Sequence, residues 1–124
     1  YRVADREQEL SDIGTELMLA AREDGIAYLL GSQLNRGCEQ REDKRPVVID
    51  MRGSGTLEER AKCVGMVYRG SVYGPAVAGV DERREYLPDG DEWARMMELL
   101  VEKNSNGRTG RVFATFDGPT MRVS

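Results

Sequence analysis

The feature that most constrains the fold is a short, unbroken apolar run, Ile26–Leu30, which is bounded by Gly25 and Gly31. Its side chains do not alternate between apolar and polar, so the pattern predicts a strand buried on both faces, as parallel strands covered by helices are. Residues 5–24 have apolar side chains at helical spacing and predict an amphipathic helix. Because a helix leading into a buried strand is typical of a crossover unit, the sequence predicts an α/β fold with a mainly parallel sheet flanked by helices.

The rest of the chain supplies further elements of a single domain of 124 residues. They are a short helix over 56–61, strands over 63–68 and 96–101, and a C-terminal β-hairpin made of 112–116 and 121–123. Residues 70–92 contain two of the four prolines and a run of charged side chains. This composition predicts a surface loop with a solvated charged face.

Composition excludes several classes of function. The chain has no histidine, which rules out Ser-His-Asp triads and histidine-based metal sites. Its net charge is −4, so it is not a generic basic binder of nucleic acid. No stretch is apolar over the roughly 18 to 20 residues that a membrane span needs. The two cysteines, Cys38 and Cys63, are predicted to be reduced thiols with no metal site between them.

Two polar stretches remain as candidate functional segments. Gln33 follows the predicted buried strand, where ligands bind in open parallel sheets, and its amide can both donate to and accept from a phosphate or a water. Alternatively, Gln33 only satisfies backbone groups at the strand end. Residues 103–110 link the third strand to the hairpin and carry cations that could reach a phosphate on another chain, or that could simply be solvated. Residues 31–55 contain five positive and four negative side chains, which makes this stretch +1 within an acidic chain.

Two blocks in this region resemble replicative DNA helicases of the DnaB type, and they occur there in this order and spacing. The blocks are Ser32-Gln33-Leu34-Asn35-Arg36 with Asp43-Lys44-Arg45-Pro46 behind it, and Asp50-Met51-Arg52-Gly53-Ser54-Gly55-Thr56-Leu57-Glu58-Glu59. The resemblance is close over residues 26–69, fair over 5–25 and 94–123, and absent over about 74–92. It implies the distal part of a RecA-like P-loop NTPase core, with the P-loop and the magnesium-binding strand outside this chain.

The resemblance also assigns roles to individual residues. Gln33 matches the glutamine that couples the terminal phosphate of the nucleotide to the DNA loops. The channel loop that contacts the DNA backbone is matched by Arg52, Gly53 and Gly55, although the family usually has an acid where Gly53 stands. Lys103 matches the lysine that reaches into the ATP site of the neighbouring subunit.

The stretch that contains Lys103 departs from the family at the position of the arginine finger. That place is occupied by Ser105, which cannot neutralise the charge that develops in phosphoryl transfer. Arg108 lies three residues later and would replace the arginine finger if the loop had a different shape from that of the family. We therefore treat Arg108, together with Gln33 and Lys103, as the candidate catalytic set.

The resemblance thus implies part of a cytoplasmic helicase that couples ATP hydrolysis to translocation and duplex unwinding as a homo-hexamer. ATP and Mg²⁺ are the implied cofactors, bound mainly outside this chain, and DNA, a primase and a helicase loader are the implied partners. The isolated chain is expected to be inactive. Two alternatives remain: another RecA-like ATPase, of the recombination or phage primase-helicase kind, and an interaction fragment that has lost catalysis.

Overall fold

The computed structural model describes residues 3–51, 54–73 and 91–124. The α-helices are α1 (Val3–Asp24), α2 (Ser54–Arg60) and α3 (Asp91–Arg95). The strands are β1 (Cys63–Tyr68), β2 (Met96–Asn104), β3 (Gly110–Asp117) and β4 (Arg122–Val123). The described residues also form short 3-10 helices at Arg36–Gln40, Val48–Asp50 and Gly70–Tyr73.

Helix α1 confirms the predicted N-terminal helix. It ends at Asp24, and Gly25 follows with a φ of 66°, the left-handed conformation that glycine adopts without strain after a helix. α1 packs against the short helix α2 at Gly14, where an added Cβ would lie 3.2 Å from Cδ2 of Leu57. The absent side chain therefore lets the two helices approach closely. No helix within the described ranges is both long enough and apolar enough to cross a membrane.

The described strands form one antiparallel sheet in the order β1-β2-β3-β4. The predicted strands over 63–68 and 96–101 and the C-terminal hairpin are confirmed, but the mainly parallel sheet is wrong for the part of the chain that the structure describes. Antiparallel strands commonly bury one face only, and β1 alternates strictly between exposed and buried residues along its length. The buried face of β1 is formed by Val64, Met66 and Tyr68.

The apolar run 26–30 is the largest departure from prediction. It forms no strand, and its side chains are exposed, with Leu29 at 102% and Ile26 and Leu30 at 54% each. A strand buried on both faces requires a partner strand and covering helices, and none of the described strands pairs with this run. The predicted crossover unit is therefore not formed by the described residues alone.

The core lies on one face of the sheet, beneath the segment between residues 34 and 51. Val64, Met66 and Tyr68 of β1 pack with Leu100 of β2, and partly buried residues from the covering segment complete the cluster, among them Leu34, Val48 and Met51. Cys38 is buried and Cys63 is exposed, and both are free thiols, as predicted. The predicted loop over 70–92 lies mostly outside the described residues. The described elements on either side are the 3-10 helix at Gly70–Tyr73 and α3.

Candidate nucleotide and DNA interface

Gln33 lies immediately before a backbone bridge that closes a long polar segment. Leu34 pairs with Met51 in this bridge, and the amide of Asn35 donates to the carbonyl of Asp50 at 2.6 Å. The side chain of Gln33 is exposed and makes no hydrogen bond with the described part of the chain. In the described structure the amide of Gln33 therefore does not serve to satisfy backbone groups at a strand end. It stays open to solvent, one residue from the strand-like contact with Met51.

A bidentate ion pair joins the middle of this segment to its C-terminal end. Nη1 and Nη2 of Arg41 donate to the two carboxylate oxygens of Asp50 at 2.9 and 2.6 Å, and the amide of Val47 donates to Asp50 at 2.9 Å. The hydrogen bonds from Arg41 lower the pKa of the buried Asp50 carboxyl, an effect that burial opposes and that the Val47 amide reinforces. Asp50 is therefore charged at neutral pH, and it fixes the backbone immediately before Met51.

A second ion pair ties the same segment to the sheet. Nε and Nη2 of Arg45 donate to Glu98 of β2 at 2.9 and 2.8 Å, and Nε of Arg111 lies 3.4 Å from the same carboxylate. Only 1% of the Glu98 side chain and 10% of the Arg45 side chain are exposed. The Arg45 guanidinium also lies 5.0 Å from the ring centre of Tyr68. The 34–51 segment is thus fastened across the buried face of β1 and β2.

These contacts correct the interpretation of the positive charge in residues 31–55. Arg41 and Arg45 are paired with buried carboxylates, and Nζ of Lys44 donates to the carbonyls of Glu39 and Arg41 at 2.7 and 3.0 Å. Three of the five cations therefore stabilise the segment itself. Sequence patterns did not reveal these pairs, although one signal was available: Glu98 is the one charged residue in the predicted strand 96–101, beside the apolar Met97, Leu99 and Leu100.

Of the three candidate DNA-binding residues, Arg52 and Gly53 lie outside the described residues. Gly55 is exposed in the first turn of α2, and an added Cβ there would meet no atom within 4 Å. The backbone of α2 thus follows directly on the candidate DNA loop. On the other side, the loop follows directly on Met51 and its bridge to Leu34.

Lys103 contacts the opposite end of the same helix. Its Nζ donates to the carbonyls of Glu58 and Glu59, at 2.6 and 3.2 Å, which belong to the last turn of α2 and lack helical partners. A β-bulge brings it there: Val64 pairs with Lys103 but Gly65 pairs with Val101, so Glu102 has no partner on β1. Because paired residues share a face of the sheet, the bulge turns Lys103 to the face of Val64.

Arg108 lies in the exposed turn between β2 and β3. Its carbonyl accepts from Nδ2 of Asn104 at 3.3 Å, and Oδ1 of Asn104 accepts from the amide of Asn106 at 3.1 Å, which shapes the turn. The amide of Ser105 donates to the carbonyl of Lys62 at 2.8 Å and fastens the turn to the chain just after α2. The turn therefore presents Arg108 and Ser105 to solvent beside Lys103.

Two of the candidate residues are connected to the described segments that precede and follow residues 52–53 in the chain. Gln33 is next to the bridge that precedes residues 52–53, and Lys103 holds the helix that follows them. The amide of Gln33, the ammonium of Lys103 and the guanidinium of Arg108 suit the oxygen atoms of a phosphate. They do not suit a divalent cation, and the described ranges contain no group of three or more Cys, Asp or Glu side chains that could hold one.

The sequence matches the family described as the DnaB-like helicase C terminal domain over residues 1–124. The chain belongs to this family. It is 37% identical over 112 residues to the replicative DNA helicase DnaC of Bacillus subtilis, a match that covers 90% of this chain and 22% of that protein. It is 38% identical over 123 residues to the replicative DNA helicase DnaB of Leifsonia xyli, covering 99% of this chain and 24% of the relative.

Solved structures resemble the fold as well. One of them, described as an ATPase domain, superposes with a TM-score of 0.78 at 29% identity, covering 95% of this chain and 37% of that one. A DnaB-like replicative helicase described with its interactions with primase gives a TM-score of 0.72 at 31% identity, covering 91% and 24%. The fold is therefore that of part of a DnaB-like, RecA-like ATPase domain. The chain spans about a quarter of the length of the replicative helicases it matches.

Proposed function

We propose that this chain is the distal part of the motor domain of a replicative DNA helicase, a cytoplasmic homo-hexamer that uses ATP hydrolysis to translocate on DNA and unwind the duplex. One observation carries this proposal. The stretch 52–55, which resembles the DNA-contacting loop, is flanked by the Leu34–Met51 bridge beside Gln33 and by the helix that Lys103 holds. Residues suited to phosphate thus lie beside the bridge that precedes the candidate DNA loop and at the far end of the helix that follows it.

Gln33 acts as the sensor of the terminal phosphate in this mechanism. Its exposed amide can accept a hydrogen bond from an attacking water or donate one to a phosphate oxygen, and it exchanges these partners as the phosphate leaves. Because Leu34 is paired with Met51, a displacement of Gln33 moves the backbone that leads into residue 52. The ion pair of Arg41 with Asp50 makes that backbone rigid. A displacement of Gln33 is therefore transmitted to the loop and does not only deform the backbone in between.

DNA is held by the loop itself. The guanidinium of Arg52 pairs with a backbone phosphate, and the bare amides at Gly53 and Gly55 approach phosphate oxygens closely because no Cβ stands in the way. Six copies of the loop face one strand in the ring, so the local charge of the channel matters more than the net charge of the chain.

ATP with Mg²⁺ supplies the free energy when it is bound, mainly by residues of the domain outside this chain. From the adjoining subunit, Lys103 and Arg108 approach the phosphates, and Arg108 neutralises developing charge in place of the arginine absent at Ser105. The exposed apolar run 26–30 is then a strand of the parallel RecA-like core that pairs with strands outside this chain. A primase and a helicase loader are the further partners of the assembled ring.

A helicase assay on the full-length gene product that carries these residues tests the proposal. The protein should unwind a forked duplex only with ATP and Mg²⁺, and single-stranded DNA should stimulate its ATPase activity. ATPase activity and DNA binding without fork unwinding would favour the recombination type of ATPase. A lack of both ATPase activity and unwinding would favour an interaction fragment without catalysis, an alternative that Ser105 supports.

A further inference from the structure

We infer that Lys103 is a positioning residue for the candidate DNA loop: it holds the last turn of α2, and it releases that turn when a nucleotide phosphate of the neighbouring subunit attracts its ammonium group. The inference rests on the proposed function, because it requires that Lys103 meets a nucleotide. It adds a second connection between nucleotide and DNA, at the end of the loop opposite to Gln33.

The first support is the dependence of α2 on outside contacts. α2 has seven residues, and isolated helices of that length are unstable in water. Among the described contacts that stabilise it are the packing of α1 at Leu57, the contact with the 3-10 helix Val48–Asp50, and the two hydrogen bonds from Lys103 to the carbonyls of Glu58 and Glu59. A cation at a helix C-terminus also interacts favourably with the helix dipole. Removing Lys103 therefore loosens α2 from its C-terminal end.

The second support is the bulge that directs Lys103 to α2. In a regular ladder Val64 would pair with Glu102, and Lys103 would point to the other face of the sheet. The extra residue at Glu102 instead places the lysine on the buried face, where α2 ends. Bulges are common where a side chain must be re-aimed near a functional site.

The third support is the short distance between the two ends of α2. Gly55 and Glu58 are three residues apart, which is about 5 Å along a helix axis. A change at the Lys103 contact therefore acts within one helical turn of the DNA loop. A phosphate, being charged, is a stronger acceptor for an ammonium group than two neutral carbonyls are. Nucleotide at the neighbouring site should therefore withdraw Lys103 from α2.

Hydrogen–deuterium exchange of the α2 amides in the full-length protein tests this, with ATPase activity measured alongside. In the wild type, a non-hydrolysable ATP analogue should speed exchange over residues 58–61 by about tenfold, the effect of losing hydrogen bonds to a charged group. The Lys103→Met variant should exchange at the fast rate with and without the analogue, and it should lose ATPase activity. Lys103→Arg should restore part of the response to the analogue.

Lys62→Met is the matched control, because it removes an exposed cation from the connection after α2, and this cation makes no side-chain hydrogen bond or ion pair with the described residues. It should behave as the wild type does. If Lys103→Met loses ATPase activity while α2 exchange responds to neither the substitution nor the analogue, the inference is overturned and the proposed function stands. If Lys103→Met speeds exchange but keeps wild-type ATPase activity, Lys103 is a structural cap only, which also overturns it. A wild-type protein without ATPase activity would remove the proposed function and the inference together.

Discussion

The buried carboxylate of Glu98 offers the strongest quantitative test of how the candidate loop is supported. Glu98 accepts two hydrogen bonds from Arg45 at 2.8 and 2.9 Å, and 1% of its side chain is exposed. Replacing it by Gln removes the buried counter-charge of the Arg45 guanidinium, itself 10% exposed, which keeps the exposed carboxylate of Asp43 at 3.3 Å. Removing one partner of a buried pair costs about 3 to 5 kcal/mol. Because Asp43 is solvated and remains only a weak counter-charge, we expect a cost at the lower end of this range.

Hydrogen exchange of the β2 amides, expressed as free energies of opening, measures this cost in the full-length protein. A loss of about 3 kcal/mol corresponds to exchange more than a hundredfold faster, since each 1.4 kcal/mol is a factor of ten. Glu102→Gln is the matched control, as Glu102 is an exposed acid in the same strand, and it should change the opening free energy by less than about 0.5 kcal/mol. The double variant Arg45→Met with Glu98→Leu should recover much of the loss, because apolar replacements leave no buried charge. An effect of Glu98→Gln below about 1 kcal/mol would refute the assignment of this pair as the support of the 34–51 segment.

Two further predictions concern Arg108 and Asp50. If Arg108 acts as the arginine finger, replacing it by Ala should lower the ATPase rate of the full-length protein by a thousandfold or more. The double variant Ser105→Arg with Arg108→Ala should restore activity. An unchanged ATPase rate in Arg108→Ala would eliminate this role. Because hydrogen bonds from Arg41 lower the pKa of Asp50 in the folded state, the stabilisation from this pair is complete above the pKa of the unfolded carboxyl, about 4, and is lost as the pH falls through the folded pKa. Hydrogen–deuterium exchange of the amides over residues 34–51 should therefore accelerate in acid beyond its intrinsic pH dependence. The Asp50→Asn variant should lack that acceleration. An Asp50→Asn variant with the wild-type pH profile of exchange would contradict the prediction.

Local patterns were sufficient to predict the elements whose own side chains determine them. The helical spacing of apolar residues in α1, the apolar runs over 63–68 and 96–101, and the hairpin around Asp117 and Gly118 are patterns that can be recognised locally, and these elements are all found. The run 26–30 was predicted equally clearly as a buried strand, yet burial depends on what covers it, and the described residues provide no cover. The direction of strand pairing is likewise a property of two strands and not of one.

The candidate site shows the same division. Candidate roles for Gln33 and Lys103 could be predicted from the resemblance to a known family, because the motifs that carry it are short stretches of sequence. The role of Arg45 was not, since its partner Glu98 lies 53 positions away. The contact of Lys103 with α2 depends on a bulge of one residue, which reverses the face of every later side chain in the strand. Sequence spacing alone does not reveal such a shift.

The affinity for single-stranded DNA, measured with and without a non-hydrolysable ATP analogue, tests the central claim most directly. The account predicts that the analogue changes the affinity of the full-length protein by about tenfold, a typical coupling between two sites. Gln33→Ala should reduce this change to less than about twofold while the analogue still binds, whereas Gln40→Ala, an exposed glutamine in the adjacent 3-10 helix, should leave it unchanged. A Gln33→Ala protein whose DNA affinity still responds to the analogue as the wild type does would contradict the account.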